Sequence, residues 1–227
     1  METSIVITCE HAGNELPEPY KSLFTNLSVV ESHRGWDPGA HEAAKQFSKI
    51  LVAPLFTCNT SRLLIEVNRS LDSPELFSEF TQSLSSPEKK KLITDIYLPY
   101  RKQVEDKLMK IRKPVLHLSI HSFTPIMNNV ERKTDIGLLF DPANATETSF
   151  CFSLNEQIKK QLPELAVDFN EPYKGVDDGF TTSLRNVFDS KNYMGVEIEI
   201  NQRLIPDLPS IIPVLANGVK EIVIKIR

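Results

Sequence analysis

The sequence has few cysteines, and their arrangement argues against a protein held together by disulfides. Its 227 residues contain three cysteines, and no CxxC pair occurs among Cys9, Cys58 and Cys151. An odd number at these spacings fits neither a disulfide framework nor a zinc site built from thiolates. We therefore expect all three to be reduced thiols.

Long apolar runs and an excess of positive charge are also missing. No stretch approaches the roughly 20 apolar residues of a membrane span, and residues 1–3 lack the basic and hydrophobic regions of a signal peptide. The 26 basic and 30 acidic residues give a net charge of −4, with no basic cluster wide enough to follow a phosphate backbone. We therefore expect a cytoplasmic protein that has neither a membrane nor a nucleic acid as its partner.

The patterns that are present alternate between strands and helices. Apolar or β-branched runs predict strands at residues 4–9, within 51–58, and at 63–67, 115–121, 135–140, 166–169 and 195–200. Amphipathic patterns predict helices at residues 40–51, 87–112, 146–162 and 209–226, and Pro99 is a candidate break in the second of them. No repeat or linker interrupts this order, so we expect one domain over residues 1–227. Such alternation predicts an α/β fold with a mixed, mostly parallel sheet covered by helices on both faces.

Two histidines lie at the ends of predicted strands. Residues 5–9 run into Glu10-His11-Ala12-Gly13-Asn14, and residues 115–118 run into Ser119-Ile120-His121-Ser122. Open α/β proteins build their sites at the carboxyl ends of strands, so we expect His11 and His121 to meet there. A hydrolytic zinc site uses three His, Asp or Glu ligands and keeps the fourth position for water. We therefore predict that these two histidines bind one metal ion.

Three residues are candidates for the third metal ligand, namely Asp37, Glu10 and Asn14. A carboxylate binds zinc far better than the amide of Asn14, and Glu10 would point away from His11 if the chain stays extended there. Asp37 is therefore the first choice. Its alternative role is structural, because it stands before Pro38 at the start of a predicted helix, where an N-cap belongs.

Two glutamates predict a catalytic base. Glu197 and Glu199 are two apart on a predicted strand, so their side chains share one face of the sheet. A carboxylate beside metal-bound water is the usual general base in hydrolases of this type. Glu199 is nearer the carboxyl end of the strand and is therefore the predicted base. The alternative is that both glutamates lie on a solvated edge.

Two arginines bracket the strand predicted at 63–67. Asn68 and Arg69 would hold a substrate carboxylate, because a guanidinium binds a carboxylate with two parallel hydrogen bonds. Arg62 would stabilise the oxyanion of a tetrahedral intermediate. The alternative for both arginines is a surface ion pair. The polar loop at 170–182 has the length of a lid or specificity segment, and Lys174, Thr181 and Thr182 are its expected substrate contacts.

Six segments spread from residue 9 to residue 202 form one ordered pattern. They are residues 9–14 (CEHAGN), 33–40 (HRGWDPGA), 61–70 (SRLLIEVNRS), 119–125 (SIHSFTP), 135–140 (DIGLLF) and 199–202 (EINQ). Together they resemble the N-formylglutamate amidohydrolase family. The resemblance implies a phosphorylase/hydrolase-like α/β fold, distantly similar to that of zinc carboxypeptidases and of aspartoacylase and succinylglutamate desuccinylase.

The same resemblance implies roles for individual residues. It makes His11 and His121 ligands of Zn²⁺ or another divalent metal, and it makes Asn68 and Arg69 the clamp for the substrate carboxylate. It also makes Arg62 the group that polarises the scissile carbonyl and Glu199 the base.

Two positions depart from these relatives. Zinc carboxypeptidases place a ligand glutamate three residues after the first histidine, and Asn14 stands there in this chain. This departure is a further reason to consider Asp37. The segment CEHAGN also differs from the Pro-His-Ser-Gly form of members that act on formylglutamate, so the substrate need not be formylglutamate.

The sequence therefore predicts a metal-dependent amidohydrolase that cleaves an N-acyl amino acid of the N-formylglutamate type. One alternative is a metal-free thiol hydrolase, with Cys9 as nucleophile and His11 as base. Another is a non-catalytic carboxylate-binding protein on the same fold. The sequence leaves the acyl group, the amino acid, the physiological metal and a homo-oligomeric state undetermined.

Overall fold

The computed structural model describes residues 3–225, and a six-stranded sheet forms its centre. The strands are β1 (Ser4–Cys9), β2 (Leu55–Thr57), β3 (Val115–Phe123), β4 (Ile126–Met127), β5 (Val130–Glu131), β6 (Ile136–Leu139), β7 (Val167–Phe169) and β8 (Tyr193–Asn201). The α-helices are α1 (Ser28–Glu31), α2 (Ala40–Leu51), α3 (Ser86–Leu92), α4 (Leu98–Lys110), α5 (Ala145–Gln161), α6 (Phe180–Arg185) and α7 (Leu208–Lys225). Short 3₁₀ helices cover Glu18–Leu23 and Gln202–Asp207.

The sheet is mixed and mostly parallel, as predicted. Its strand order is β2-β1-β3-β8-β6-β7, and β4 pairs with β5 in a separate small hairpin. Strand β1 runs parallel to β2 and β3, and β3 runs parallel to β8, whereas β6 is antiparallel to β8 and parallel to β7. From β1 the chain passes to β2 on one side and then returns to β3 on the other. The carboxyl ends of β1 and β3 therefore flank a switch point of the kind where open sheets bind ligands.

Helices cover both faces of the sheet, which confirms the predicted fold class. Alternate residues of β1 and β3 face two separate apolar cores. Ile7 and Leu118 pack with α2, α5 and α7 on one face. Val6 and Val115 pack with α3, α4 and α6 on the other face. Of the helix predicted at 209–226, the final residue, Ile226, lies outside the described residues.

The segment at 63–67 is not the strand that its apolar run predicts. Its residues form turns, in which the Leu64 N–H donates to the Ser61 carbonyl and the Glu66 N–H donates to the Leu76 carbonyl. Leu64 and Ile65 are nevertheless buried in the core beneath α3 and α4. The run is apolar because it is buried, and burial alone does not distinguish a strand from a buried turn.

The N-cap role considered for Asp37 is also wrong. Gly39 occupies the N-cap of α2 in the left-handed region, with a φ of 84°, and no side chain caps this helix. A glycine takes this conformation without the steric cost that a Cβ would bring. The Asp37 carboxylate is thereby free to turn toward the ends of β1 and β3.

The long helix predicted at 87–112 is locally widened. Residues Ile93–Tyr97 form a π-helical turn between α3 and α4, and Pro99 is the second residue of α4. Proline has no N–H and its ring crowds the carbonyl four residues earlier, so a widened turn relieves the conflict without ending the helix. No helix within residues 3–225 is both long enough and apolar enough to cross a bilayer.

Gly35 joins two of the segments that reach the carboxyl edge of the sheet. Its carbonyl accepts hydrogen bonds from the Ser61 hydroxyl at 3.1 Å and from the Arg62 N–H at 3.0 Å. A Cβ built on Gly35 would lie 2.0 Å from the Val30 carbonyl oxygen. The backbone at this junction therefore has no room for a side chain.

We expect Gly35→Ala to destabilise the protein by about 1–3 kcal/mol, because the added methyl group would force the backbone of this junction apart. Urea unfolding measures the loss. Gly218→Ala is the matched control, since its nearest neighbour is the flexible Leu154 side chain at 3.1 Å. A Gly35→Ala protein as stable as the control would contradict this account of the junction.

Candidate active site

Three predicted ligands meet at the carboxyl ends of β1 and β3. His11 follows β1, His121 lies near the end of β3, and Asp37 comes from the loop before α2. Their exposed fractions are 2%, 2% and 4%. One candidate ligand atom from each residue lies within 4.8 Å of the others. The prediction that the two histidines lie together is confirmed, and Asp37 joins them.

The Asp37 carboxylate lies between the two imidazoles. Its Oδ2 accepts a hydrogen bond from His121 Nδ1 at 2.9 Å and from His11 Nδ1 at 3.2 Å. The Asp37 backbone N–H donates to the His11 carbonyl at 3.0 Å, which fixes the loop against the end of β1. The two rings are 5.0 Å apart between centroids. Both Nδ1 atoms therefore point at the same small space.

Each imidazole has a second carboxylate on its far side. His11 Nε2 is 2.6 Å from Glu66 Oε1, and His121 Nε2 is 3.2 Å from Glu10 Oε2. Glu10 in turn accepts hydrogen bonds from the Ser119 hydroxyl at 2.5 Å and the Tyr100 hydroxyl at 2.9 Å. A carboxylate on the outer nitrogen of a histidine orients the ring and raises the basicity of the inner nitrogen.

Sequence reasoning missed this outer pair of carboxylates. As predicted for an extended chain, Glu10 does not join His11, and its carboxylate lies instead at the far nitrogen of His121. Glu66 lies in the apolar run at 63–67. A single acidic residue within such a run is the one signal that could have identified it, because a buried charge needs a partner.

The carboxylates and imidazoles of this site stabilise one another's charged forms. Burial alone would lower the pKa of His121, but its hydrogen bonds to Asp37 and Glu10 raise it well above the ordinary value. Burial would raise the pKa of Asp37, yet the charges and hydrogen bonds of the two histidines hold it well below its usual range. The same balance lowers the pKa of Glu10.

Arg62 completes this charge arrangement. Its Nε and Nη2 each lie 2.6 Å from Glu66 Oε2, and its Nη1 is 3.5 Å from Asp37 Oδ1. Burial would raise the pKa of Glu66, but the charge of Arg62, followed by that of His11, lowers it. Arg62 is thus an internal ion-pair partner rather than a surface one, and its side chain still lines a cavity.

The cavity in front of these groups has a volume of about 160 Å³. Its wall consists of His11, Asp37, Arg62, Asn68, Arg69, His121, Ser122, Tyr173, Lys174, Asp177, Asp178, Gly179, Glu197 and Glu199. All the proposed metal ligands, the proposed base, Arg62 and the carboxylate clamp therefore face one space.

Both strand glutamates line this cavity. The solvated-edge alternative is wrong, because β8 lies in the interior of the sheet between β3 and β6. Glu199 is opposite His121 in the β3–β8 register and is 5% exposed. Its Oε2 has no hydrogen-bond partner among residues 3–225. Burial raises the pKa of Glu199 to about 7, helped by the charges of Asp37 and Glu197 and opposed by that of His121.

Asn68 and Arg69, the predicted carboxylate clamp, already make some of their hydrogen bonds to other residues of the protein. Asn68 Oδ1 accepts a hydrogen bond from the Phe180 N–H at 2.8 Å, which leaves Nδ2 as the donor on the cavity side. Arg69 Nε donates to Glu75 at 2.9 Å, and its Nη1 donates to the Asp178 carbonyl at 2.9 Å. These bonds hold the guanidinium at the edge of the cavity.

The two threonines predicted as substrate contacts do not line the inner cavity. Thr181 is fully buried and its hydroxyl donates to Glu197 Oε1. The Thr182 hydroxyl donates to the Gly175 carbonyl and accepts from Arg185. Thr182 lines an adjoining outer cavity rather than the inner one, whereas Lys174 lines the inner cavity.

Cys9, the nucleophile of the thiol alternative, lies away from this space. It is fully buried in the apolar core shared with α2, α5 and α7. Burial raises the pKa of its thiol well above the ordinary value. Because the thiolate is the nucleophile, this environment disfavours the reaction that the alternative requires.

Comparison with known proteins decides the family. A family model described as N-formylglutamate amidohydrolase matches residues 3–206. The chain belongs to this family. The resemblance carried by the six segments is thereby confirmed, and it places the protein among hydrolases of amide bonds.

Solved structures agree with the fold. Gene product Atu2144 from Agrobacterium tumefaciens has a TM-score of 0.84 and 26% identity, covering 99% of this chain and 91% of that one. N-acetylmuramoyl-L-alanine amidase AmiC2 of Nostoc punctiforme has a TM-score of 0.42 and 9% identity, covering 96% of each chain. A likeness as low as the second supports no conclusion about this protein. No curated protein sequence matches the chain.

The buried Glu199 predicts a pH-dependent stability difference in the metal-free protein. Its pKa in the folded protein is about 7, against an ordinary value of 4.5, so the folded state keeps a proton that the unfolded state releases between these values. The contribution of this group to stability therefore falls as the pH rises through that window.

We expect Glu199→Gln to stabilise the metal-free protein at about pH 8 by on the order of 3 kcal/mol more than it does at about pH 4. Urea unfolding at both pH values measures the difference. Glu156→Gln, on the exposed side of α5, is the control and should show no such dependence. An equal effect of Glu199→Gln at both pH values would show that its carboxyl is not buried as described.

Proposed function

We propose that this protein is a metal-dependent amidohydrolase that cleaves N-acyl amino acids. Membership of the family supports hydrolysis of an amide bond. Metal dependence is proposed from one observation. His11, Asp37 and His121 face one cavity, beside the carboxylate of Glu199, whose Oε2 has no hydrogen-bond partner among residues 3–225. We also propose a cytoplasmic location, because all three cysteines are free thiols.

The residues present fit a divalent metal such as zinc. Two imidazole nitrogens and one carboxylate oxygen are the donor set of hydrolytic zinc sites. The outer carboxylates of Glu10 and Glu66 leave Nδ1 of each histidine as the inner donor. His11 and His121 would bind the metal through Nδ1, and Asp37 would bind it through its carboxylate. When bound there, a divalent metal would polarise the amide carbonyl and lower the pKa of water.

Glu199 is the proposed base. Its unpartnered oxygen lines the cavity opposite His121, so it can accept a proton from the attacking water. A pKa near 7 suits a group that takes up a proton and then gives it to the leaving nitrogen. Arg62 would donate from Nη1 to the carbonyl oxygen as that atom becomes negative. Glu66 keeps Arg62 oriented for this role.

Asn68 and Arg69 are the proposed clamp for the free carboxylate of the amino acid. Asn68 offers Nδ2, because its oxygen is already bonded to Phe180. Arg69 offers its remaining guanidinium N–H groups and a positive charge. The clamp fixes the substrate at one end, so that the amide bond reaches the cavity floor where the histidines lie.

A binding protein that lacks catalysis would keep the clamp but would have no use for the Glu199 environment. A buried carboxylate without a partner lowers stability. Retaining such a group beside three metal-type donors is expected of a proton carrier and not of a passive carboxylate-binding site.

Metal content tests the donor set. We expect about one zinc per chain in protein purified without chelator, and we expect the His11→Ala/His121→Ala double variant to lose it. Inductively coupled plasma mass spectrometry measures the ratio. His41→Ala on α2 is the control and should keep the metal. A protein that binds no zinc after reconstitution would contradict the proposed mechanism.

Loss of the base should separate metal binding from turnover. We expect Glu199→Gln to keep its zinc but to hydrolyse a panel of N-formyl and N-acetyl amino acids at least about 100-fold more slowly. Release of the free amino group measures the rate, and Glu156→Gln serves as the control. Normal activity of Glu199→Gln would remove Glu199 from the mechanism.

A further inference from the structure

We propose that the amino acid part of the substrate carries a positive charge on its side chain rather than a second carboxylate. The inference deepens the proposed function, on which it rests, by naming the class of substrate that the same cavity accepts. It follows from the charges that line the cavity beyond the reacting centre, and from which of those charges the protein already uses.

The cavity wall beyond the metal donors is acidic. Asp37 and Glu199 belong to the reacting centre, and the remaining wall carries three carboxylates, on Asp177, Asp178 and Glu197. Apart from Arg62, which is bonded to Glu66, the wall has two cations, on Arg69 and Lys174.

One of these two cations is already paired. Arg69 donates to the Glu75 carboxylate at 2.9 Å, so much of its charge is balanced before a substrate arrives. The α-carboxylate of the substrate would bind the remaining N–H groups of Arg69 and balance the rest of its positive charge. A second carboxylate on the same substrate would then face a wall with an excess of negative charge.

Glu197 lies directly beside the clamp. A Cβ built on Gly179 would lie 3.4 Å from Glu197 Oε1 and 3.6 Å from Asn68 Oδ1. These two side chains therefore flank the same space. The Thr181 hydroxyl holds Glu197 Oε1. No hydrogen bond from the described part of the chain reaches Oε2, so this oxygen of a cavity-lining residue is available as an acceptor.

An outer cavity continues this acidic path. It has a volume of about 750 Å³ and shares Arg69, Asp177 and Asp178 with the inner cavity. Its wall adds Asp72 and also Glu75, the ion-pair partner of Arg69, so Asp72 is the residue that increases the excess of negative charge. A long side chain that leaves the inner cavity past Asp177 and Asp178 therefore enters a space that stabilises an ammonium or guanidinium group and repels a carboxylate.

Lys174 favours the opposite charge. It is exposed at the cavity, where it would be the natural partner of a second carboxylate. Glu197 and Lys174 therefore make opposite predictions, and removing each charge in turn separates them.

The first experiment compares kcat/KM of the metal-loaded enzyme for N-formyl-lysine, N-formylglutamine and N-formylglutamate. We expect N-formyl-lysine to exceed N-formylglutamate by at least about tenfold. Glu197→Gln should reduce this ratio by about tenfold, and Asp177→Asn on the exposed loop should reduce it in the same direction. Glu156→Gln is the matched control and should leave the ratio unchanged.

A second measurement does not depend on turnover. Calorimetric titration of the metal-loaded protein with free lysine, glutamine and glutamate reports on the charge preference alone. Tightest binding of lysine without hydrolysis of any N-acyl compound would overturn the proposed function and support the charge preference. Preferred hydrolysis and binding of the glutamate compounds, lost in Lys174→Gln and kept in Glu197→Gln, would overturn the charge preference and leave the proposed function standing.

Discussion

The site depends on one buried carboxylate that two histidines share. Asp37 Oδ2 accepts hydrogen bonds from Nδ1 of both His11 and His121, while the Asp37 backbone N–H donates to His11. A buried charge is costly unless it is paired and hydrogen-bonded. The carboxylate therefore holds the loop before α2 against the ends of β1 and β3, and the cavity has its shape because these three segments meet there.

The outer carboxylates extend the same alternation of charge. Glu10 and Glu66 each occupy the far nitrogen of one histidine, and Arg62 balances Glu66. This order of groups turns both Nδ1 atoms inward. Protons and a divalent metal compete for those nitrogens, so the geometry that now binds protons is also the geometry that would bind a metal as the protons leave. Structural stability and the proposed chemistry thus depend on the same contacts.

The main features of the sheet could be predicted because they depend on local pattern. The period of two along β8 placed Glu197 and Glu199 on one face, and the apolar runs before His11 and His121 predicted the strands that bring them together. The turn at 63–67 could not be recognised, because its residues are apolar in order to pack in a core that is formed by distant segments of the chain. Glu10 reaches His121 because of the β1–β3 register, in which Thr8 pairs with Ser119, and Glu66 reaches His11 from the turn at 63–67. Sequence alone specifies neither.

The most direct test of the central claim is anomalous X-ray scattering at the zinc edge from crystals of the metal-loaded protein. The account predicts a single strong peak bound by Nδ1 of His11, Nδ1 of His121 and the carboxylate of Asp37, with Glu10 and Glu66 still on the outer nitrogens. A peak bound by Nε2 of either histidine, or one located away from Asp37, would contradict it.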